Sequence, residues 1–256
     1  MKVSLSLTNE RHLLHMVQAV DLRAPFAMGH FQTVSRYAVL IAQEMGLPSP
    51  MVEMMRKAGL LHDIGKFWIP DEILTKPGRL TSEEYALVQQ HPVIGANVLE
   101  GFPSLVEVVP MIRHHHERFD GKGYPNGLTG VEIPLGARIL NVADTVEAMA
   151  SDRPYKKGYP LEKILSILQE EVGQQFDPGV VKAFMQGLGK AGTDIINNPG
   201  AELGGNPVDP ESFQLLASAL MNWLQFRLTR FPNEAASQNA GGVNNVESTP
   251  LTTLNG

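Results

Sequence analysis

The chain has 256 residues, enough for one large domain or a domain with an appendage. Hydrophobic residues make up 43% and charged residues 19%, against about 25% charged in an average soluble protein, which excludes a wholly disordered chain. A net charge of −6 disfavours non-specific binding to duplex nucleic acid or an anionic membrane surface but leaves room for a small phosphate ligand.

The first residues lack the apolar core of a secretory signal, and no run reaches the roughly 18 apolar residues of a membrane span, so a soluble, cytoplasmic protein is expected. About ten residues are expected to precede the first helix, so no sensory or receiver domain is expected in this chain. Phe31, Val34, Ala38, Ile41 and Met45 form one helical stripe, stopped by Gly46 and Pro48. Ser49 caps a second helix with Pro50 at its first position, and His62-Asp63 falls at its end before Gly65 breaks the pattern. Thr81 to Glu84 reads as a capping box opening a short helix to His91, after which Pro92 marks a boundary and another helix runs to Glu100. Residues 104 to 117 are expected to form a helix ending in three histidines, and Ala137 to Ala150 a further one. Helices over 161–172 and 178–188 follow, the latter opened by Asp177-Pro178. Asn126-Gly127 lies in a Gly-rich loop without flanking alternation, so no hairpin is predicted and the fold class is all-α.

Beyond Lys190 the composition turns to Gly, Asn and Pro. The expected organisation is a domain over 1–190, a linker over 191–209, a helix over 210–231 and a polar, disordered tail over 232–256. Phe213, Leu216, Leu220, Trp223 or Leu224, and Leu228 of that last helix fall at roughly heptad spacing, which suggests a homodimer.

There is no cysteine, so a thiolate nucleophile, a disulfide framework and Cys-held zinc or iron–sulfur are excluded, and a metal must be held by nitrogen and oxygen. Eight histidines are present: His12, His15, His30, His62, His91, His114, His115 and His116. His62-Asp63, His91 and His115-His116 stand at the ends of three predicted helices and Asp144 within a fourth, so a bundle can bring them to one polar centre. Neutral imidazoles with a few carboxylates hold divalent ions without neutralising them, and one carboxylate can bridge two. A water shared by two cations ionises near neutral pH, and the cations stabilise a charged phosphoryl transition state. Lys66, one turn beyond Asp63, adds positive charge for a phosphate oxygen.

The run from His62 through Asp63, Ile64 and Gly65 to Lys66, with that from His115 through His116, Glu117, Arg118, Phe119, Asp120, Gly121, Lys122, Gly123 and Tyr124 to Pro125, resembles the HD-GYP family of HD-domain phosphohydrolases. Ile69-Pro70-Asp71, Lys76-Pro77-Gly78, His91-Pro92, Ile133-Pro134-Leu135, Val142-Ala143-Asp144, Arg153-Pro154-Tyr155 and Phe176-Asp177-Pro178 continue the resemblance in family order, from about His12 to Gly187. It implies a helical bundle around two or three metals and a bacterial phosphodiesterase that converts cyclic di-GMP to linear pGpG or GMP through a metal-bridging hydroxide. Carried over by motif, His30, His62, Asp63 and Asp144 hold one metal, and Asp63 bridges to a second held by His91, His115 and His116. Lys66, Arg153 and Lys156 are the expected substrate contacts, with Asp63 and Lys66 catalytic.

The resemblance favours iron or manganese, with nickel, cobalt or zinc also compatible, and it implies contacts between the Gly-rich loop and diguanylate cyclase (GGDEF) domains. Members with a third metal carry a glutamate where this chain has Phe26, so a two-metal site is expected. Phe31 replaces a common serine and Ala24 a frequent aspartate. His114 is the spare histidine, because Glu117 matches the family's His-His-Glu at His115 and His116. Glu117 and Asp120 are expected to orient ligands or loop backbone. Alternatives are a phosphohydrolase for another cyclic dinucleotide or nucleotide, and a non-catalytic module that binds cyclic di-GMP or a cyclase.

Overall fold

The computed structural model describes residues 3–23, 29–151 and 157–197 and the pairs 202–203 and 206–207. In chain order the helices are α1 (Val3–Arg23), α2 (His30–Glu44), α3 (Ser49–Leu61), α4 (Asp71–Leu74), α5 (Ser82–Val88), α6 (His91–Leu99), α7 (Val109–Arg113), α8 (Leu135–Ala150), α9 (Leu161–Glu170) and α10 (Pro178–Asn197). Short 3₁₀ turns lie at Ile64–Trp68, Pro103–Leu105 and Gly130–Glu132. Glu202–Leu203 pairs antiparallel with Asn206–Pro207, a ladder too small to alter the all-α class.

The apolar stripe of α2 packs against α3, α8 and α10. Val34, Ala38, Ile41 and Ala42 meet Met55, Ala58, Ile139, Leu140, Ala143 and Phe184 in one buried cluster, and removing that area from water is the main force holding the bundle. Helices α2 and α3 approach most closely at Gly59, where an added Cβ would lie 2.4 Å from Ser35 Cα. Among the described residues no helix is long and apolar enough to cross a membrane.

Several boundaries differ from the sequence expectation, mostly through proline. Pro48 occupies the N-cap of α3 and Ser49 is its first helical residue, making no side-chain cap. His91 begins α6 and does not end α5, because Pro92 suits a first helical turn, where its missing N–H is not needed. The helix expected over 104–117 is divided: Pro110 sits in the first turn of α7, which runs only from Val109 to Arg113, and His114 to His116 form turns beyond it. The capping boxed helix α5 ends at Val88. Helix α10 continues through 191–197 of the expected linker. Gly187 does not stop it, since its missing side chain lets α10 lie against Leu40, whose Cγ would be 2.8 Å from a Cβ there. The helix predicted over 210–231, the tail, Ala24, Phe26, Arg153 and Lys156 lie outside the described residues.

Candidate metal centre

Seven predicted residues come to one place from five parts of the chain. Gly29, at φ 84°, adopts the left-handed conformation open to glycine and turns the chain so that His30 begins α2 with its ring buried. His62 and Asp63 follow α3, His91 opens α6, His115 and His116 occupy the turn after α7, and Asp144 lies on α8. They form two groups, Asp63 with His91, His115 and His116, and His30 with His62 and Asp144, each with one ligand atom per residue within 4.8 Å of the others. Asp63 stands between them. Its Oδ1 is 2.9 Å from His91 Nε2 and 3.8 Å from His115 Nε2, while its Oδ2 is 3.4 Å from His62 Nε2 and 3.6 Å from His30 Nε2. Asp144 Oδ1 is 3.6 Å from His30 Nε2 and 3.8 Å from His62 Nε2.

The tautomers follow from the outer hydrogen bonds. His62 Nδ1 lies 2.8 Å from Gly59 O, His91 Nδ1 2.6 Å from Val88 O and His115 Nδ1 2.6 Å from Ile112 O. A carbonyl only accepts, so each Nδ1 must donate, and a neutral ring then points a bare Nε2 lone pair inward. His30 Nδ1 meets the buried carboxylate of Glu147 at 2.5 Å, with the same effect. Two pairs of these nitrogens face each other, His30 with His62 at 3.3 Å and His91 with His115 at 3.4 Å. Asp63 Oδ1 is buried without a hydrogen-bond partner. Opposed lone pairs around an orphaned carboxylate oxygen need a cation or a proton between them, and the nitrogen and oxygen donor set suits a divalent transition metal.

Charge reinforces this. Burial alone would raise the Asp63 carboxyl, but Lys66, His62 and His91 outweigh it and hold it well below the usual range. Burial would lower His62, yet Asp63 and Asp144 hold it up at about 10. Asp144 is likewise depressed against the effect of burial, chiefly by His62. Burial and the neighbouring His91 push His116 down to about 3, and burial with the other histidines lowers His115. His115 and His116 are thus already neutral and ready to ligate, while a cation entering beside His62 displaces a proton.

Around the cluster, Lys66 Nζ donates to Asp63 Oδ2. Glu117 does not ligate: its carboxylate accepts from Asn126 N at 2.7 Å and Leu128 N at 3.1 Å, tying the Gly-rich loop to the site. Gly123 is where that loop passes closest, since a Cβ would sit 2.3 Å from Arg118 N. Arg118 grips both oxygens of Asp120 and holds it down at about 2, with burial opposing. Tyr124 stacks on His116 with ring centroids 5.0 Å apart. His114 is in neither group, its Nδ1 3.6 Å from Glu117 Oε1. His12 and His15 are exposed on α1. Phe31, buried, sets its ring against both His30 and His62.

Two supporting residues were not anticipated. Asn141 donates to His115 O at 3.0 Å and Glu117 O at 3.1 Å, and Glu147 links His30 to Ser151, whose hydroxyl donates to it at 2.6 Å. Both stand three residues from Asp144, one on each side, so a helical-face reading centred on Asp144 finds them.

The helical bundle thus gathers a His-Asp pair and five further ligand-type side chains into two groups that could hold metal ions and that meet at Asp63. Residues 15–180 match the profile of the HD domain, and the chain belongs to that family, carrying its HD-GYP motif set. It is 40% identical over 177 residues to the cyclic di-GMP phosphodiesterase response regulator RpfG of Xanthomonas campestris, covering 68% of this chain and 47% of that protein. It is 36% identical over 169 residues to the 3′3′-cGAMP-specific phosphodiesterase 3 of Vibrio cholerae, covering 66% and 37%. The chain therefore spans less than half the length of these relatives. A crystal structure of a cyclic GMP-AMP specific phosphodiesterase from Vibrio cholerae shares the fold, with TM-score 0.53 at 19% identity, covering 89% of this chain and 61% of that one.

Proposed function

We propose that the domain is a metal-dependent phosphodiesterase that hydrolyses cyclic di-GMP to linear pGpG or to GMP. The observation that carries the reading is the division of Asp63's two oxygens between two separate groups of inward-facing histidines. Further support comes from relatives whose names state this activity.

His30, His62 and Asp144 would hold one divalent ion and His91, His115 and His116 the other, with Asp63 ligating both. When bound, such ions activate a water near neutral pH and neutralise charge gathering on phosphoryl oxygens. Iron or manganese suits this His-rich, carboxylate-bridged set, as nickel, cobalt or zinc also would, and the family resemblance favours the first two. Lys66 supplies a fixed positive charge beside Asp63 for a non-bridging phosphate oxygen, and hydrolysis forms a bond from water oxygen to phosphorus as the bond to the 3′ oxygen breaks, that oxygen leaving as a hydroxyl with a proton from the water. By the family resemblance, Arg153 and Lys156 would grip phosphate or guanine, which a guanidinium fork and an ammonium both suit. The exposed Gly-rich loop would be the surface offered to a diguanylate cyclase domain, and the cytoplasm the place of action.

The test is turnover of cyclic di-GMP, 3′3′-cGAMP and mononucleotides side by side, with the Asp63→Ala variant as reference. The reading expects cyclic di-GMP to be preferred and both metal binding and turnover to vanish in the variant. Full activity with stoichiometric metal in Asp63→Ala overturns it. A second reading, preference for 3′3′-cGAMP, draws on the relative of that specificity, and the same panel decides between them.

A further inference from the structure

Arg23 is the last residue of α1, more than forty residues from the groups it binds. Its guanidinium donates to Phe67 O at 2.8 Å, to Lys66 O at 3.3 Å and to Ile69 O, and its Nε donates to the Asp71 carboxylate. One planar fork therefore closes the open carbonyl end of the turn Ile64–Trp68 and joins it to the first turn of α4. The same turn carries Lys66, whose N–H donates to Asp63 O at 2.9 Å and whose ammonium folds back onto Asp63 Oδ2. The Lys66 backbone is thus held from the metal side by Asp63 and from the far side by α1. A lysine at position 23 could not replace this, because one ammonium cannot span several carbonyls and a carboxylate in a fixed plane.

We propose that Arg23 is a positioning residue for Lys66, so that the seating of α1 sets where the Lys66 ammonium stands relative to the phosphate it serves. This rests on the reading of Lys66 as a phosphate contact. Arg23 touches neither ligand cluster, so its loss leaves the metal-binding residues in place. What moves is the turn, and small displacements of a charged group in a reacting site cost up to about 100-fold in rate.

The experiment uses the full chain loaded with manganese and the generic phosphodiester bis(p-nitrophenyl) phosphate, so that it does not depend on which nucleotide is the substrate. Arg23→Gln, Lys66→Met and the double variant are compared for kcat, KM and bound metal, and amide hydrogen exchange is followed over 66–69 and over α8. The expected result is a fall in kcat of about tenfold or more in Arg23→Gln with metal content unchanged, no further fall when it is added to Lys66→Met, and faster exchange at 66–69 with α8 unaltered. Asp71→Asn, which takes the charge from one arm of the clamp and leaves the core untouched, gives a smaller change of the same sign. Additive losses in the double variant, loss of metal with Arg23→Gln, or unchanged exchange at 66–69 each overturn the proposal. If the unaltered protein cleaves no phosphodiester, the phosphodiesterase reading fails by itself; exchange then decides whether Arg23 fixes the turn, unchanged exchange sinking the inference.

Discussion

Replacing Gly65 with alanine adds one methyl group at the point where the metal-bearing segments touch. A Cβ at Gly65 would lie 2.0 Å from His91 O and 2.7 Å from Gly95 N, where ordinary van der Waals contact begins at 3.4 Å. All of these are backbone atoms, so no side chain can swing aside, and the first turn of α6 must retreat by about 1.4 Å. Gly65 does not need a left-handed backbone, so the penalty is steric alone. Overpacking of this kind costs about 1–3 kcal/mol, and at about 2–4 °C per kcal/mol for a domain of this size the Tm should fall by roughly 2–12 °C. The same retreat carries His91 from Asp63, now 2.9 Å away, so the group of Asp63, His91, His115 and His116 should bind its cation more weakly. Calorimetry of the metal-free protein and metal counting after dialysis against manganese read the two effects separately. A Gly65→Ala protein with the original Tm and two manganese ions per chain would refute the reasoning.

Three further outcomes follow from particular contacts. Glu147→Gln weakens the carboxylate support of His30 and should reduce affinity at one of two manganese sites about 10–100-fold, leaving the other intact; a two-site titration with unchanged constants counts against it. Glu117→Gln removes the charge and one acceptor from the bonds to Asn126 and Leu128, and should cost about 1–3 kcal/mol and speed proteolysis within 120–130, a result absent if that loop is held by its glycines alone. The Arg118–Asp120 pair depresses the Asp120 carboxyl to about 2, so its stabilisation is complete above about pH 4 and is lost as pH falls through about 2. Asp120→Asn should therefore be less stable than the unaltered protein at pH 5 and converge with it towards pH 2 in urea unfolding; a constant difference over that range would show that the pair contributes no pH dependence.

Much of this site is legible in the chain because the ligands are chemically distinctive and sit in compact motifs. His62-Asp63, His91-Pro92 and His115-His116-Glu117 signal themselves, and the all-α class follows from apolar spacing on α2, α3 and α8. Proline is harder to place: Pro92 reads as a boundary after one helix yet sits in the first turn of the next, and Pro110, within a stretch read as one helix, opens the short α7 instead. Gly187 has the composition of a helix stop and the role of a close contact with Leu40, which only the tertiary neighbour reveals. Asn141 and Glu147 can be picked out as one helical turn from Asp144, but their partners, more than twenty and more than a hundred residues away, come only from the fold. Arg23 is the extreme case, since nothing local to α1 marks it as the clamp of a distant turn.

The most direct measurement is turnover of cyclic di-GMP by protein purified without oxygen and loaded with ferrous iron or manganese, with products separated by chromatography and metal counted on the same sample. The expected result is linear pGpG or GMP from protein carrying about two metals per chain. No product from protein carrying two metals would contradict the phosphodiesterase reading, and product from metal-free protein would contradict the role given to the seven ligands.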